Sequence, residues 1–253
     1  MPPLPSQFAD LLSPRGKRVL DGKVPAFTGI LKTGQRLVTA TGLLDVSKCR
    51  ALLGALEEKI APHLTVMEAP APPQSIWGMK ENYAELLPKT VRVRTVTMAS
   101  RTSKGARAVE AVGLQRLLAS DTFGRLAEVL SGRKVRPRWG TQVLAYAPGD
   151  YAGPHNDHHP EDAEARDGYT DVHLSFCTKG VARQALVYAP LGHFSEETSV
   201  NTLGGLTAYR LPFWHYPTPL IARRGQHARA RRWVLLGTFL DAPANQGAKA
   251  SAK

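Results

Sequence analysis

YAPGDYAGPHND, residues 146–157, leaves the end of an apolar run, passes two Pro/Gly turns and arrives at two potential metal ligands. Pro148, Gly149, Gly153 and Pro154 mark the stretch as a connection rather than a continuing element. His155 and Asp157 are two residues apart, so an extended backbone would place both side chains on one face, where they could share an ion. A third ligand must come from elsewhere, and His215 in LPFWHYPTPL (211–220), near the end of a later apolar run, supplies one.

Working outward, the chain changes character at about residue 135. Beyond it, TQVLAYA (141–147), DVHLSFCT (171–178), QALVYA (184–189), GLTAYRL (205–211) and RWVLLGTFL (232–240) are rich in β-branched and aromatic residues and are separated by turn residues. Their regular spacing favours a sandwich or barrel over alternating β-α units. QRLVTA (35–40) and TVRVRTVTM (90–98) can add strands to the same sheets.

Before residue 135 the periodicity is helical. DVSKCRALLGALEEKIAPHL (45–64) spaces Val46, Cys49, Leu52, Leu53, Leu56 and Ile60 as one stripe, with Asp45 or Ser47 as N-cap. SDTFGRLAEVLSGR (120–133) offers Ser120 or Asp121 as cap, Phe123, Leu126, Ala127 and Leu130 as stripe, and Gly132 as stop. AVGLQRLLA (111–119) predicts a third helix. Residues 1–34, rich in Pro, Gly and Lys/Arg without periodicity, predict a flexible basic N-terminal arm, and 244–253 a disordered tail. That leaves 35–243 as a single domain with its core from about 135 to 243.

Composition narrows the class. A chain of 253 residues buries a substantial core without staples. Cys49 and Cys177 are the only cysteines and form no CxxC pair, which argues against a zinc finger, redox pair or disulfide scaffold and predicts a reduced, cytoplasmic setting. No stretch approaches eighteen apolar residues, so no membrane span is expected. The formal net charge of +12 is concentrated partly in SPRGKR (13–18), GAKASAK (247–253) and ARRGQHARARR (222–232). No aromatic-interleaved basic motif accompanies it, so nucleic acid is not the expected partner; an anionic small molecule or acidic polypeptide is. Oligomeric state leaves no mark in the sequence.

Two imidazoles and one carboxylate on a triangular face leave three positions of an octahedron open, the arrangement used by non-haem Fe(II) oxygenases. With His155, Asp157 and His215 in hand, the segment from about 141 to 240 resembles the catalytic core of the Fe(II)/2-oxoglutarate-dependent dioxygenases, and YAPGDYAGPHND resembles their prolyl-hydroxylase-like branch. The resemblance implies a mainly β fold: a double-stranded β-helix (jelly roll, cupin-like) core with N-terminal helices packed on one sheet. It implies that His155, Asp157 and His215 hold Fe(II), and that 2-oxoglutarate and O2 are cosubstrates with ascorbate as a supporting reductant. The reaction is then hydroxylation of a C–H bond coupled to decarboxylation of 2-oxoglutarate to succinate and CO2.

The family pattern also places an Arg or Lys on the strand after the second His, facing the far carboxylate of 2-oxoglutarate. Arg232 opens RWVLLGTF and fits best, with Val234 where the pattern carries a hydroxyl residue; Arg231, on the opposite face, is the alternative. The gap from His215 is longer than in many members, and IARRGQHARA (221–230) would account for it as a hairpin excursion. Tyr146, on the strand before His155, either donates to the cosubstrate or serves as a core aromatic.

The remaining histidines divide. His158 and His159 read as solvent- or substrate-facing, His227 as exposed in the basic loop, and His173 as either cavity-facing or core. Trp77 and Tyr83 are candidates for a pocket wall. A carboxylate at 157 fills the site that halogenases of this family leave for chloride, so hydroxylation is favoured. Two other readings stay open: a nucleic-acid demethylase of the same superfamily, which expects a second Arg where Thr238 stands and an NxNxY element absent here, and a non-catalytic cupin-like metal-binding module.

Overall fold

A computed structural model describes residues 3–242, apart from 33, 72–89, 97, 99–101, 137–139, 158–167 and 191–192. Thirteen strands are found among them: β1 Leu37–Ala40, β2 Thr65–Pro70, β3 Thr90–Thr95, β4 Gly140–Tyr146, β5 Tyr151–Ala152, β6 Tyr169–Cys177, β7 Val181–Arg183, β8 Ala185–Tyr188, β9 Glu196–Ser199, β10 Gly205–Leu211, β11 His215–Pro217, β12 Ile221–Ala222 and β13 Arg232–Leu240. The large antiparallel sheet runs β1-β10-β6-β13-β4-β3-β2, with β5 on β3. Opposite it stand β11-β8-β9 and the β12-β7 pair. Two facing antiparallel sheets with helices on the outer face of the larger one make the expected double-stranded β-helix core.

Strand alternation assigns the two faces of the large sheet. Val143, Ala145, Val172, Leu174, Phe176, Leu206, Ala208, Trp233, Leu235 and Phe239 point to the helices and join one continuous core. Their neighbours Gln142, Leu144, Tyr146, Asp171, His173, Thr207, Tyr209, Arg232, Val234, Leu236 and Thr238 line a cavity between the sheets. The helix Asp121–Ser131 ends on Gly132 in a left-handed conformation, as its sequence predicts. That helix approaches β13 closely at Gly237, where a Cβ would lie 2.5 Å from the Phe123 ring. Asp45 caps the helix Val46–Ala55 by accepting from the Lys48 amide at 3.0 Å. The helix then relaxes into a π-turn, Leu56–Ile60. Glu57 on that turn accepts from Trp233 Nε1 at 2.6 Å and pairs with Arg231 at 2.8 Å, tying helix to β13.

Residues 1–34 are not a loose arm. Phe8–Leu11 and Pro14–Leu20 are helical, and Phe8, Leu11 and Val19 are fully buried in the main core. Ser13 caps the second helix, accepting from the Gly16 amide at 3.0 Å, with Pro14 at its first position. The physical reason is that the basic residues sit on the outer face while three widely spaced apolar side chains reach inward. Phe8 packs on Phe123 with ring centroids 4.8 Å apart. Phe8→Ala is therefore expected to lower stability by about 3–5 kcal/mol, measured by denaturant unfolding; a change below about 1 kcal/mol would restore the loose-arm reading.

Two smaller corrections concern helices. Val46 does not belong to the buried stripe: at the first turn it is 46% exposed. AVGLQRLLA is two elements, Lys104–Val112 and Leu114–Leu118, broken at Gly113 with φ 80°. The expected tail at 244–253 and the candidate wall residues Trp77 and Tyr83 lie outside the described residues.

Candidate metal centre

His155 and His215 face one another across an isolated antiparallel bridge: the His155 amide donates to the His215 carbonyl at 3.1 Å, and the reverse bond is 2.9 Å. Reciprocal backbone bonds bring the rings to 4.5 Å between centroids. Each ring is oriented from behind. His155 Nδ1 donates to the Gly153 carbonyl at 2.6 Å, and His215 Nδ1 donates to the Phe213 carbonyl at 2.9 Å. A carbonyl can only accept, so both rings carry the proton on Nδ1 and present a bare Nε2 lone pair. Phe213 stacks on His215 at 4.9 Å and Tyr209 lies at 4.9 Å on it, holding a ring that is 2% exposed.

Asp157 joins them differently from the extended backbone expected. It sits at φ 51°, a left-handed conformation that Asp tolerates better than most residues, and the Tyr169 hydroxyl donates to its carbonyl at 2.7 Å. Its Oδ1 lies 3.5 Å from His155 Nε2 and its Oδ2 3.5 Å from His215 Nε2. The ligand atoms of the three residues all fall within 4.8 Å of one another.

Electrostatics favour the ligating forms. Burial pushes the Asp157 carboxyl up, but His155 and His215 beside it reverse this and hold it well below the usual carboxylate range. Burial pushes His215 down to about 3, with the neighbouring His155 adding to the effect. Burial lowers His155 as well, but its contact with Asp157 outweighs that and raises it. The site thus keeps one anionic oxygen and one firmly neutral imidazole, and the second imidazole must release a proton to ligate.

The triad opens on a cavity of about 600 Å³. At one end of it Arg232, 3% exposed, donates from Nε and Nη2 to Ser175 Oγ at 3.2 and 3.0 Å and from Nη1 to Gln184 Oε1 at 3.1 Å. Its guanidinium lies 5.4 Å from the Tyr146 ring centroid, and both residues line the cavity. Among the described residues no carboxylate pairs with it. A buried cation held only by neutral partners is costly unless an anion completes it. Arg231 instead points to the helices, pairing with Glu57 and lying 5.9 Å from the Trp233 ring centroid.

The other expected residues are placed as follows. His173 and Thr238 line the cavity. His227 is exposed on the turn after β12, which pairs with β7 as a short excursion. His158 and His159 lie outside the described residues. Sequence reasoning missed Ser175, Gln184, Tyr209 and Asp171. A signal was present for two of them: Asp171, His173 and Ser175 alternate through an otherwise apolar strand, which marks a polar-lined inner face.

The fold is similar to that of the non-haem α-ketoglutarate-dependent epimerase SnoN from nogalamycin biosynthesis, with TM-score 0.52, 16% identity, and 90% of this chain and 83% of that one covered. It is likewise similar to a prolyl hydroxylase from Trichoplax adhaerens solved with a hypoxia-inducible-factor peptide, with TM-score 0.51, 13% identity, and 90% and 91% covered. At these identities the likeness establishes the fold, that of the prolyl-hydroxylase-like 2-oxoglutarate oxygenases. No protein-family model and no curated protein matches the sequence.

Proposed function

We propose that this chain is an Fe(II)- and 2-oxoglutarate-dependent oxygenase that hydroxylates a C–H bond of a small molecule or a protein side chain in the cytoplasm. The observation that carries the reading is the pairing of two features in one cavity: a converging His155–Asp157–His215 donor set, and a buried guanidinium with no counter-ion at Arg232. The donor chemistry fits the metal, since two neutral nitrogens and one carboxylate suit Fe(II) and leave positions for cosubstrates. Held there with 2-oxoglutarate and O2, the iron supplies the oxidising power for hydroxylation while 2-oxoglutarate becomes succinate and CO2.

The residues divide the remaining work. His155, Asp157 and His215 hold the metal, and the carbonyls of Gly153 and Phe213 keep the two rings aimed. Arg232, positioned by Ser175 and Gln184, takes the far carboxylate of 2-oxoglutarate in a two-pronged pair, with Tyr146 beside it. Val91, Val93, Leu144, Leu186, Val234 and Leu236 keep the cavity wall apolar and exclude water from the reacting centre. Thr238 in place of a second cavity-facing Arg favours this reading over a nucleic-acid demethylase. The test is anaerobic titration of the metal-free protein with Fe(II) and 2-oxoglutarate. A weak visible charge-transfer band that is lost in His155→Ala is expected; its absence in folded protein would leave the cupin-like binding module.

Metal affinity carries its own pH signature. His215, at about 3, is already neutral across the working range, whereas His155 is raised and holds a proton at mildly acidic pH. Metal binding then displaces one proton, not two, so affinity falls about tenfold per unit as pH drops from about 6.5 to about 5. Mn(II) titrations by calorimetry at stepped pH check this, and a slope of two would mean that both imidazoles titrate.

A further inference from the structure

The cavity face of the large sheet is built in cross-strand rows, and the rows change in character along it. Arg232 and Tyr146 face each other in one row, on either side of the β13–β4 ladder. Two rows of largely apolar residues follow, with Val234 and Leu144, then Leu236, His173, Gln142 and Thr207. The last row is Tyr209, Asp171, Thr238 and Gly140. Along β6 this is the distance from Cys177, opposite Arg232, to Asp171. Six strand steps span roughly 20 Å, so the two charged ends of the cavity are far apart.

Asp171 is 5% exposed, and its Oδ1 has no hydrogen-bond partner among the described residues. The nearest titratable group, His173, keeps its Nε2 3.8 Å from Asp171 Oδ2, beyond hydrogen-bonding distance, because that nitrogen is taken by the Tyr209 hydroxyl at 2.8 Å. Burial holds the Asp171 carboxyl above its usual range, the mark of an acceptor that lacks a donor. An isolated buried carboxylate in an apolar wall is costly, and a cation arriving there would relieve the cost.

We propose that Asp171, with the ring and hydroxyl of Tyr209 and with His173 beside it, is a subsite for a protonated amine on an otherwise apolar substrate. The inference rests on the proposed oxygenase only for what lies next to the subsite. It reverses the expectation drawn from net charge: the excess of Lys and Arg belongs to the exterior, while the far end of the cavity is acidic. An anionic substrate would meet Asp171 unscreened; an ammonium completes it and lies against the Tyr209 face.

Cyclohexylamine and cyclohexanol present an ammonium and a hydroxyl on one apolar body. Their binding to the full chain is measured by calorimetry, both metal-free and loaded anaerobically with Fe(II) and 2-oxoglutarate, with loading read from the charge-transfer band. The amine is expected to bind at least about tenfold more tightly than the alcohol, as a hydrogen bond to a charged group warrants, and the difference is expected to vanish in Asp171→Asn. Thermal melting checks the fold of that variant, and Asp171→Ser replaces it if it does not fold. An alcohol that binds as tightly as the amine, a preference that survives in the variant, or no binding of either probe at millimolar concentration would overturn the proposal. A missing charge-transfer band alongside an Asp171-dependent amine preference would defeat the oxygenase reading and leave the subsite standing.

Discussion

Asp157→Ala is expected to abolish succinate formation while leaving the protein folded. Asp157 is the only anionic donor of the three, and each of its oxygens faces one Nε2 at 3.5 Å. Without it two imidazoles remain, and metal affinity should fall by more than the roughly 10–100-fold that follows loss of a mere supporting group. The fold survives because the Tyr169 bond goes to the Asp157 carbonyl, which the substitution keeps. An Ala at φ 51° does add strain, on the order of 1–2 kcal/mol. Asp157→Asn separates the two effects, since Asn adopts that conformation readily but carries no charge. Both variants should lose turnover and metal binding, and only the Ala variant should melt earlier. Succinate formation undiminished in either would remove Asp157 from the centre.

The site was legible where chemistry is written in residue types, and illegible where it depends on the approach of distant backbone. His155, Asp157 and His215 stand out because few other side chains bind metals, and strand alternation alone separates Arg232 from Arg231. What brings His155 to His215 is a two-residue backbone bridge between a loop and a three-residue strand, too short to leave a periodic signal. Gln184, just before β8, meets Arg232 through tertiary packing that no local pattern encodes. The same holds for the fold. The long strands β6, β10 and β13 alternate visibly because they divide a core from a cavity, whereas β2 is exposed along its whole length and ends in Pro70, so nothing in its sequence alternates. The N-terminal helices of four and seven residues are too brief for a stripe, and Phe8, Leu11 and Val19 are buried by what packs on them rather than by their own spacing.

Arg232→Ala should raise the 2-oxoglutarate requirement by about 10- to 100-fold, with turnover at saturating cosubstrate changed far less, because charge-assisted bonds to a carboxylate contribute about 1.5–3 kcal/mol. Arg231→Ala should leave that requirement unchanged. It removes a partly exposed ion pair with Glu57 and a contact with the Trp233 ring, and should lower stability by about 1 kcal/mol. The two neighbours in sequence thus separate into a binding residue and a structural one, because they emerge on opposite faces of one sheet. Ligand-induced stabilisation gives a reading independent of turnover: 2-oxoglutarate should raise the melting temperature of the native protein and of Arg231→Ala, but not of Arg232→Ala. In the native protein an incoming carboxylate would complete a buried cation that now has only Ser175 and Gln184 as partners, so the rise should persist without metal, though smaller. If Arg231→Ala abolished it and Arg232→Ala kept it, the guanidinium at the cavity end would not be the carboxylate anchor, and the cosubstrate would have to be placed elsewhere.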